Sequence, residues 1–250
     1  MSDKKALDMR TQLLEAEKIG RSSFTHRAVP RLESGDRLTR DEFERRYEAM
    51  PDLKKAELIE GVVYVPSPIR FEYHGKQTQH VGTWLGHYEA ATPGSQSANN
   101  TTVRLDLDNE PQPDLFLRVN PKLGGRSSTS PDGYVEGAPE LVVEVAASTV
   151  SYDLHDKLRA YRRNGVLEYI VWRVEDGEID WFRLQGSEYV RVKPDATGLF
   201  KSEVFPGLWL DSIALLQGEL AKVLAILDEG LKTPEHVAFV ERLKPEPPKS

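Results

Sequence analysis

The chain has 250 residues, 39% hydrophobic and 29% charged, an ordinary globular balance with room for one large domain plus extensions. A formal net charge of -7 argues against binding a polyanion over the whole surface, although a local basic cleft stays open, and the lack of cysteine excludes disulfides, thiolate ligands and thiolate nucleophiles. No apolar run approaches the roughly 20 residues that cross a bilayer, and Met1-Ser2-Asp3-Lys4-Lys5-Ala6 lacks a signal-peptide core, so the expected location is cytoplasmic, without membrane contact.

Residues 1–36 are polar, with a weak helical pattern at Leu7, Leu13, Leu14 and Ala16, and read as a mobile or loosely docked extension. A helix is expected between Asp36 and Met50: Thr39 precedes Asp41 and Glu42, which is N-cap chemistry, and Pro51 fits a helix that has already ended. Ala56 to Val65 alternates, and Glu60-Gly61 reads as a tight turn between two strands. A helix follows from Glu72 to Ala90. Strands are expected over 101–106 and 113–119, separated by an Asp108-Asn109-Glu110-Pro111 turn. Residues 121–139 are rich in Gly, Ser and Pro and read as a long loop of the kind that often carries function.

Leu141 to Ala147 reads as a buried strand, being short, β-branched and apolar on both faces. Ser148, Thr149 or Ser151 can cap the helix that follows, Tyr152 to Asn164, which stops at Gly165. Residues 167–174, 178–184 and 189–192 form a strand meander, and 208–231 passes from a short apolar stretch into an amphipathic helix. The organisation expected is an extension over 1–36, a domain over 37–232 and a C-terminal tail over 233–250. Its class is α/β (α+β).

One residue breaks the apolar run of the 141–147 strand: Glu144. A buried carboxylate is costly to ionise unless a positive group sits on it. Asp114, in Gln112-Pro113-Asp114-Leu115-Phe116-Leu117, has a similar setting. If the two strands pair in register, Asp114 and Glu144 lie close together, and two such carboxylates need a counter-charge. A hard divalent cation supplies it and prefers oxygen ligands, with the Val145 carbonyl as a natural third donor. Lys157, on the following helix, can neutralise charge in a phosphoryl transition state or orient the water, and Asp153 shares its helix face. Two strand carboxylates and a lysine make the chemistry of a metal-dependent phosphodiesterase. The bland alternatives are a Glu144 ion pair with Arg104 or Arg118, and a Lys157 that is merely solvated surface beside Arg159, Arg162 and Arg163.

Several motifs in order carry a family resemblance from about Thr39 to Leu215. They are Glu57-Leu58-Ile59-Glu60-Gly61, His74-Gly75, Pro113-Asp114, Leu141-Val142-Val143-Glu144-Val145, Asp153 with Lys157 and Tyr161, and Gly165-Val166 with Glu168-Tyr169. The set resembles the Uma-type putative restriction endonucleases, a branch of the PD-(D/E)XK nuclease superfamily. The resemblance implies a restriction-endonuclease-like mixed central sheet flanked by helices and a magnesium-dependent site, with manganese as a substitute ion. Asp114 and Glu144 would be its metal ligands and Lys157 its catalytic lysine. It also implies a nucleic-acid substrate, with DNA expected, and a homodimer. One departure stands out: the superfamily's lysine usually follows the glutamate by two residues, where this chain has Ala146.

Around this core, Glu57 is either a further site carboxylate or a strand-edge charge, and His74 is a candidate cleft residue. His74, His80 and His87 lack the i, i+4 spacing that places two histidines on one metal. Arg118, Lys122 and Arg126 are candidate phosphate contacts. The leading expectation is a metal-dependent endonuclease. The alternative is a non-catalytic nucleic-acid-binding or regulatory protein on a nuclease scaffold. A carboxylate-pair glycosidase gives Lys157 no role.

Overall fold

Two short strands, β1 (Glu57–Ile59) and β2 (Val62–Tyr64), pair antiparallel where the sequence alternates. They meet at Glu60 and Gly61, both at positive φ (52° and 71°), the backbone of a tight hairpin turn. These elements belong to a computed structural model that describes residues 29–66, 70–147 and 149–244. Before the hairpin runs α1 (Arg40–Glu48), with Thr39 at its N-cap and Asp41 and Glu42 in its first turn. Phe43 of α1, Leu32, Ala56, Leu58 and Val63 form a small core of their own.

A π turn, Phe71–Gly75, leads into α2 (Lys76–Ala91). Strands β3 (Ser95–Asn99), β4 (Val103–Arg104) and β5 (Leu115–Val119) follow, then β6 (Ser128–Thr129), β7 (Val135–Glu136) and β8 (Leu141–Ala146). Helix α3 begins at Val150–Tyr152, widens into a π turn at Asp153–Lys157 and continues as Leu158–Asn164. It ends at Gly165, whose φ of 83° is the left-handed cap that favours glycine. The chain then forms β9 (Glu168–Arg173), β10 (Glu178–Gln185), β11 (Glu188–Val192), β12 (Leu199–Lys201) and β13 (Trp209–Asp211). Last come α4 (Ser212–Leu216), α5 (Leu220–Leu231) and α6 (Pro234–Arg242).

The central sheet has six strands in the order β11-β10-β9-β8-β5-β3. Only β8 and β9 run parallel, with α3 as the crossover between them. The fold is therefore α+β, a mixed central sheet flanked by helices. Because successive side chains alternate faces, the sheet builds two cores. Leu115, Leu117, Leu141 and Val143 pack with α2, α5 and α6. Phe116, Val142 and Ala146 pack on the other face with Tyr161 of α3.

Three segments depart from the sequence reading. Strand β3, Ser95-Gln96-Ser97-Ala98-Asn99, carries no apolar alternation, and pairing with β5 alone makes it the outermost strand. The long loop contains a 3-10 turn, Pro121–Leu123, and pairs β6 and β7 with β4 in a small second sheet. The expected tail from 233 instead opens with α6, whose Phe239 joins the main core together with Leu243. Gly207 permits this packing: a Cβ there would lie 2.8 Å from the Cβ of His236 in α6. The expected extension over 1–36 is described only from residue 29, where Leu32 is buried and the Gly35 amide bonds to Val63 O at 2.8 Å. Residues 1–28, Ser148 and 245–250, with the expectations placed on them, lie outside the described residues.

Candidate active site

Leu115 pairs with Val143, so the next step outward sets Asp114 opposite Glu144 at the end of the β5–β8 ladder. Both residues lie on the strand face that carries Phe116, Val142 and Ala146, and α3 packs against that face. The Asp114 amide donates to Glu144 Oε2 at 3.3 Å, and the Val145 amide donates to Asp114 Oδ2 at 2.9 Å. Side chain and backbone thus fix the two carboxylates together.

Lys157 reaches them from α3. Its Nζ is 2.9 Å from Glu144 Oε1, 2.9 Å from Glu57 Oε1 and 3.7 Å from Asp153 Oδ1. The Tyr161 hydroxyl donates to Glu144 Oε1 at 2.9 Å, and the Gln112 amide donates to Glu57 Oε1 at 2.7 Å. On the other side, His74 Nε2 lies 3.1 Å from Asp114 Oδ2, and Lys55 Nζ lies 3.5 Å from Asp114 Oδ1. His74 is oriented by Thr78, whose hydroxyl is 3.1 Å from Nδ1. Both π turns carry site residues: the first holds His74, the second Asp153 and Lys157. A wider turn shifts side chains out of the 3.6-residue register, and such turns recur at functional sites.

Lys157 is only 3% exposed, far from a solvated surface lysine. Burial opposes its charge, but Glu144, Glu57, Tyr161 and Asp153 outweigh burial and raise its pKa well above the ordinary lysine value. It is a fixed cation at neutral pH and not a base. Burial likewise opposes ionisation of Asp114, but the His74 hydrogen bond and the charges of Lys55, His74 and Lys157 hold it well below the usual carboxylate range. Glu144 goes the other way. Burial, aided by the charges of Asp114, Asp153 and Glu57 and opposed by Lys157, pushes it up to about 8.

The hydrogen bonds of Glu144 show what this site lacks. All three partners, Lys157 Nζ, the Tyr161 hydroxyl and the Asp114 amide, are donors, so the geometry is built for a carboxylate. With all four carboxylates (Glu57, Asp114, Glu144 and Asp153) ionised, Lys55, Lys157 and His74 are the cations that meet them, and positive charge falls short. A divalent cation on these oxygens would make up the deficit, so the donor set fits a hard metal ion. Among the described residues no three His, Asp or Glu side chains form a ready-made cage. Magnesium does not need one, since it commonly takes one or two carboxylates and keeps water or phosphate oxygens for the rest.

With this geometry in place, the comparisons are specific. The family model Uma2, "Putative restriction endonuclease", matches residues 40–214. The chain belongs to this family. No curated protein matches the chain. It is similar in fold to the crystal structure of "a putative nuclease belonging to DUF820" from Anabaena variabilis ATCC 29413, at 14% identity and a TM-score of 0.50, over 76% of this chain and 99% of that one. The family-model match over residues 40–214 spans every residue of the cluster, from Lys55 to Tyr161.

In this Uma2 chain, Ala146 stands two residues after Glu144 and is buried in the sheet core, while the lysine reaches Glu144 from α3. The structure brings together Asp114, Glu144, Val145, Lys157, Glu57, His74 and Asp153, the residues singled out for the metal centre and cleft. Glu144 pairs with neither arginine suggested for it. Arg104 binds Glu44 at 2.8 Å and Asp132 at 2.9 Å, and Arg118 binds Gln96, Ser128 O and Thr129. Arg118, Lys122 and Arg126 are not gathered into the cluster: Arg118 sits four residues along β5 from Asp114, about 13 Å away. Lys55 and Tyr152 are site residues that sequence reasoning missed. The Tyr152 hydroxyl is buried without a partner among the described residues, and its ring centroid lies 5.2 Å from Lys157 Nζ. Lys54-Lys55 reads as solvated surface, and only the fold turns Lys55 inward.

Proposed function

We propose that this protein is a divalent-metal-dependent nuclease that hydrolyses phosphodiester bonds, with DNA as substrate. The observation that carries the reading is the register of β5 against β8, which sets Asp114 beside Glu144 with Lys157 bonded to Glu144. Asp114, Glu144 and the Val145 carbonyl would hold the ion. When bound, magnesium or manganese supplies Lewis-acid polarisation of the phosphate and a more acidic water.

The protein's own groups divide the remaining work. Lys157 stays protonated and offers fixed positive charge where negative charge grows on the phosphoryl oxygens. Glu57 and Asp153 hold that ammonium in place, and Tyr161 fixes the Glu144 oxygen it shares with Lys157. His74 and Lys55 keep Asp114 ionised and oriented. Burial around the cluster strengthens each of these interactions.

The test is cleavage of plasmid DNA with magnesium or manganese by the wild type, Asp114→Ala and Glu144→Ala, with folding followed by circular dichroism and metal binding by calorimetry. Metal-dependent cutting that both folded variants lose is the expected result. A wild type that neither cuts nor binds metal would overturn the reading and leave a non-catalytic nuclease scaffold.

A further inference from the structure

A groove of about 460 Å³ runs beside the cluster, lined by His74, Gly75, Thr78, Gln79 and Gly82 on one wall and by residues 97–100 of the β3 edge on the other. Two of its lining residues touch Asp114: His74 Nε2 lies 3.1 Å from Asp114 Oδ2, and the Asn100 backbone amide donates to Asp114 O at 3.1 Å. The helix wall is a stripe: Gly75, Thr78, Gln79 and Gly82 recur at helical spacing, and the glycines keep the floor low. Phe71 begins the π turn that leads into this helix wall, four residues before Gly75, and its ring is 69% exposed. A large exposed aromatic is not explained by core packing.

The groove's chemistry selects among nucleic acids. Among the described residues no lysine or arginine lines it, so its chemistry faces a base and not a phosphate backbone. The lining instead offers neutral amides and hydroxyls. Asn99 and Asn100 are exposed, and their side-chain amides make no hydrogen bond among the described residues. Neutral amides, with an exposed ring on the turn that leads into the helix wall, suit the edges and faces of bases that have left a helix. The volume lies within the roughly 300–1,000 Å³ of small-ligand sites, which suits a nucleotide and not a double helix.

We propose that the groove between α2 and β3 holds an unpaired nucleotide of a single-stranded nucleic acid, with Phe71 stacking on its base and Asn99 and Asn100 meeting its edges. The proposal rests on the nuclease reading of the adjacent cluster and names the form of its substrate.

The test measures binding, not cleavage. Fluorescein-labelled oligothymidylate and a labelled blunt duplex are titrated with full-length protein in calcium, using wild type, Phe71→Ala and Phe71→Trp. The wild type is expected to bind the single strand more tightly than the duplex. Phe71→Ala should weaken single-strand binding about 5- to 150-fold, the range of one lost stacking contact, while Phe71→Trp restores it. Phe71 is exposed, so the alanine variant should keep the wild-type dichroism spectrum. Duplex bound more tightly than single strand, or Phe71→Ala without effect, overturns the groove assignment and leaves the nuclease reading standing. No binding of either probe overturns both. If sedimentation shows that Phe71→Ala dissociates a dimer while oligothymidylate affinity is unchanged, the ring belongs to a self-interface and the proposal fails.

Discussion

Asp114 and Glu144 are locked to each other through the backbone: the Asp114 amide donates to Glu144 Oε2, while the Asp114 carboxylate takes the amide of Val145, the residue after Glu144. Neither side chain can swing away without leaving a buried donor unpaired. The two strands thus act as one rigid holder for a pair of carboxylates, and α3 adds the cation that pairs with Glu144.

Lys157 is the hub of that arrangement, so its removal tests the whole cluster. Lys157→Met leaves Glu57, Glu144 and Asp153 buried without their shared partner. Breaking a buried pair from one side typically costs about 3–5 kcal/mol. Urea unfolding should show a loss of that size. Adding Glu144→Gln to Lys157→Met should recover part of it, because the second change removes the stranded charge. Additive losses in the double variant would mean the two residues are not coupled.

Tyr161 offers a gentler probe. Its ring packs against Tyr169 at 4.9 Å between centroids, so Tyr161→Phe keeps the packing and deletes only the hydrogen bond to Glu144. A bond to a charged acceptor is worth about 1.5–3 kcal/mol. The variant should fold, lose stability within that range and bind manganese more weakly in calorimetry. Unchanged stability would show that Glu144 is held by Lys157 and the Asp114 amide without Tyr161.

Much of this was legible in the sequence because β periodicity is a short-range signal. The Glu60-Gly61 hairpin declares itself by alternation and turn chemistry, and the strands of Glu144 and Asp114 by short apolar runs that a carboxylate interrupts or precedes. What escaped has a physical reason in each case. Strand β3 is polar because it is an edge and a groove wall, so no apolar period marks it. The π turns at residues 71–75 and 153–157 change the angle between side chains without changing composition. Glu140 shows the limit from the other direction. It is as buried as Glu144 and four residues away on the same strand face, yet its oxygens take the Val119 and Arg126 amides and anchor a loop. Only tertiary partners separate the two glutamates.

The C-terminal helix makes the same point through stability. Thr233-Pro234 is a helix start, with the Thr233 hydroxyl oxygen accepting from the His236 amide at 3.3 Å, but the apolar run that follows, Val237-Ala238-Phe239-Val240, is short and ends at Glu241-Arg242. Phe239 nonetheless packs edge-on to Phe205 at 6.1 Å within the main core. Phe239→Ala should cost about 3–5 kcal/mol by thermal or urea unfolding, the usual penalty for emptying a buried phenylalanine site. A change below the resolution of the measurement would mean α6 is a detachable tail after all.

Glu110 gives a pH signature away from the cluster. It is 3% exposed, bridged to Leu58 through both backbone groups, and one of its carboxyl oxygens has no partner among the described residues. Burial, then the hydrogen bond and charge of Glu44, push its pKa from 4.5 up to about 8, against the pull of Arg104 and Arg40. A carboxyl group raised in the folded state binds a proton there that the unfolded chain has released. Its contribution is complete below pH 4.5 and is lost as pH rises through about 8. Glu110→Gln stays neutral throughout and removes that slope. Urea midpoints taken from pH 5 to pH 8.5 should therefore show the variant gaining on the wild type as pH rises, by a few kcal/mol across the window. Parallel curves would mean that Glu110 is ionised in the folded protein, with Arg104 and Arg40 outweighing its burial.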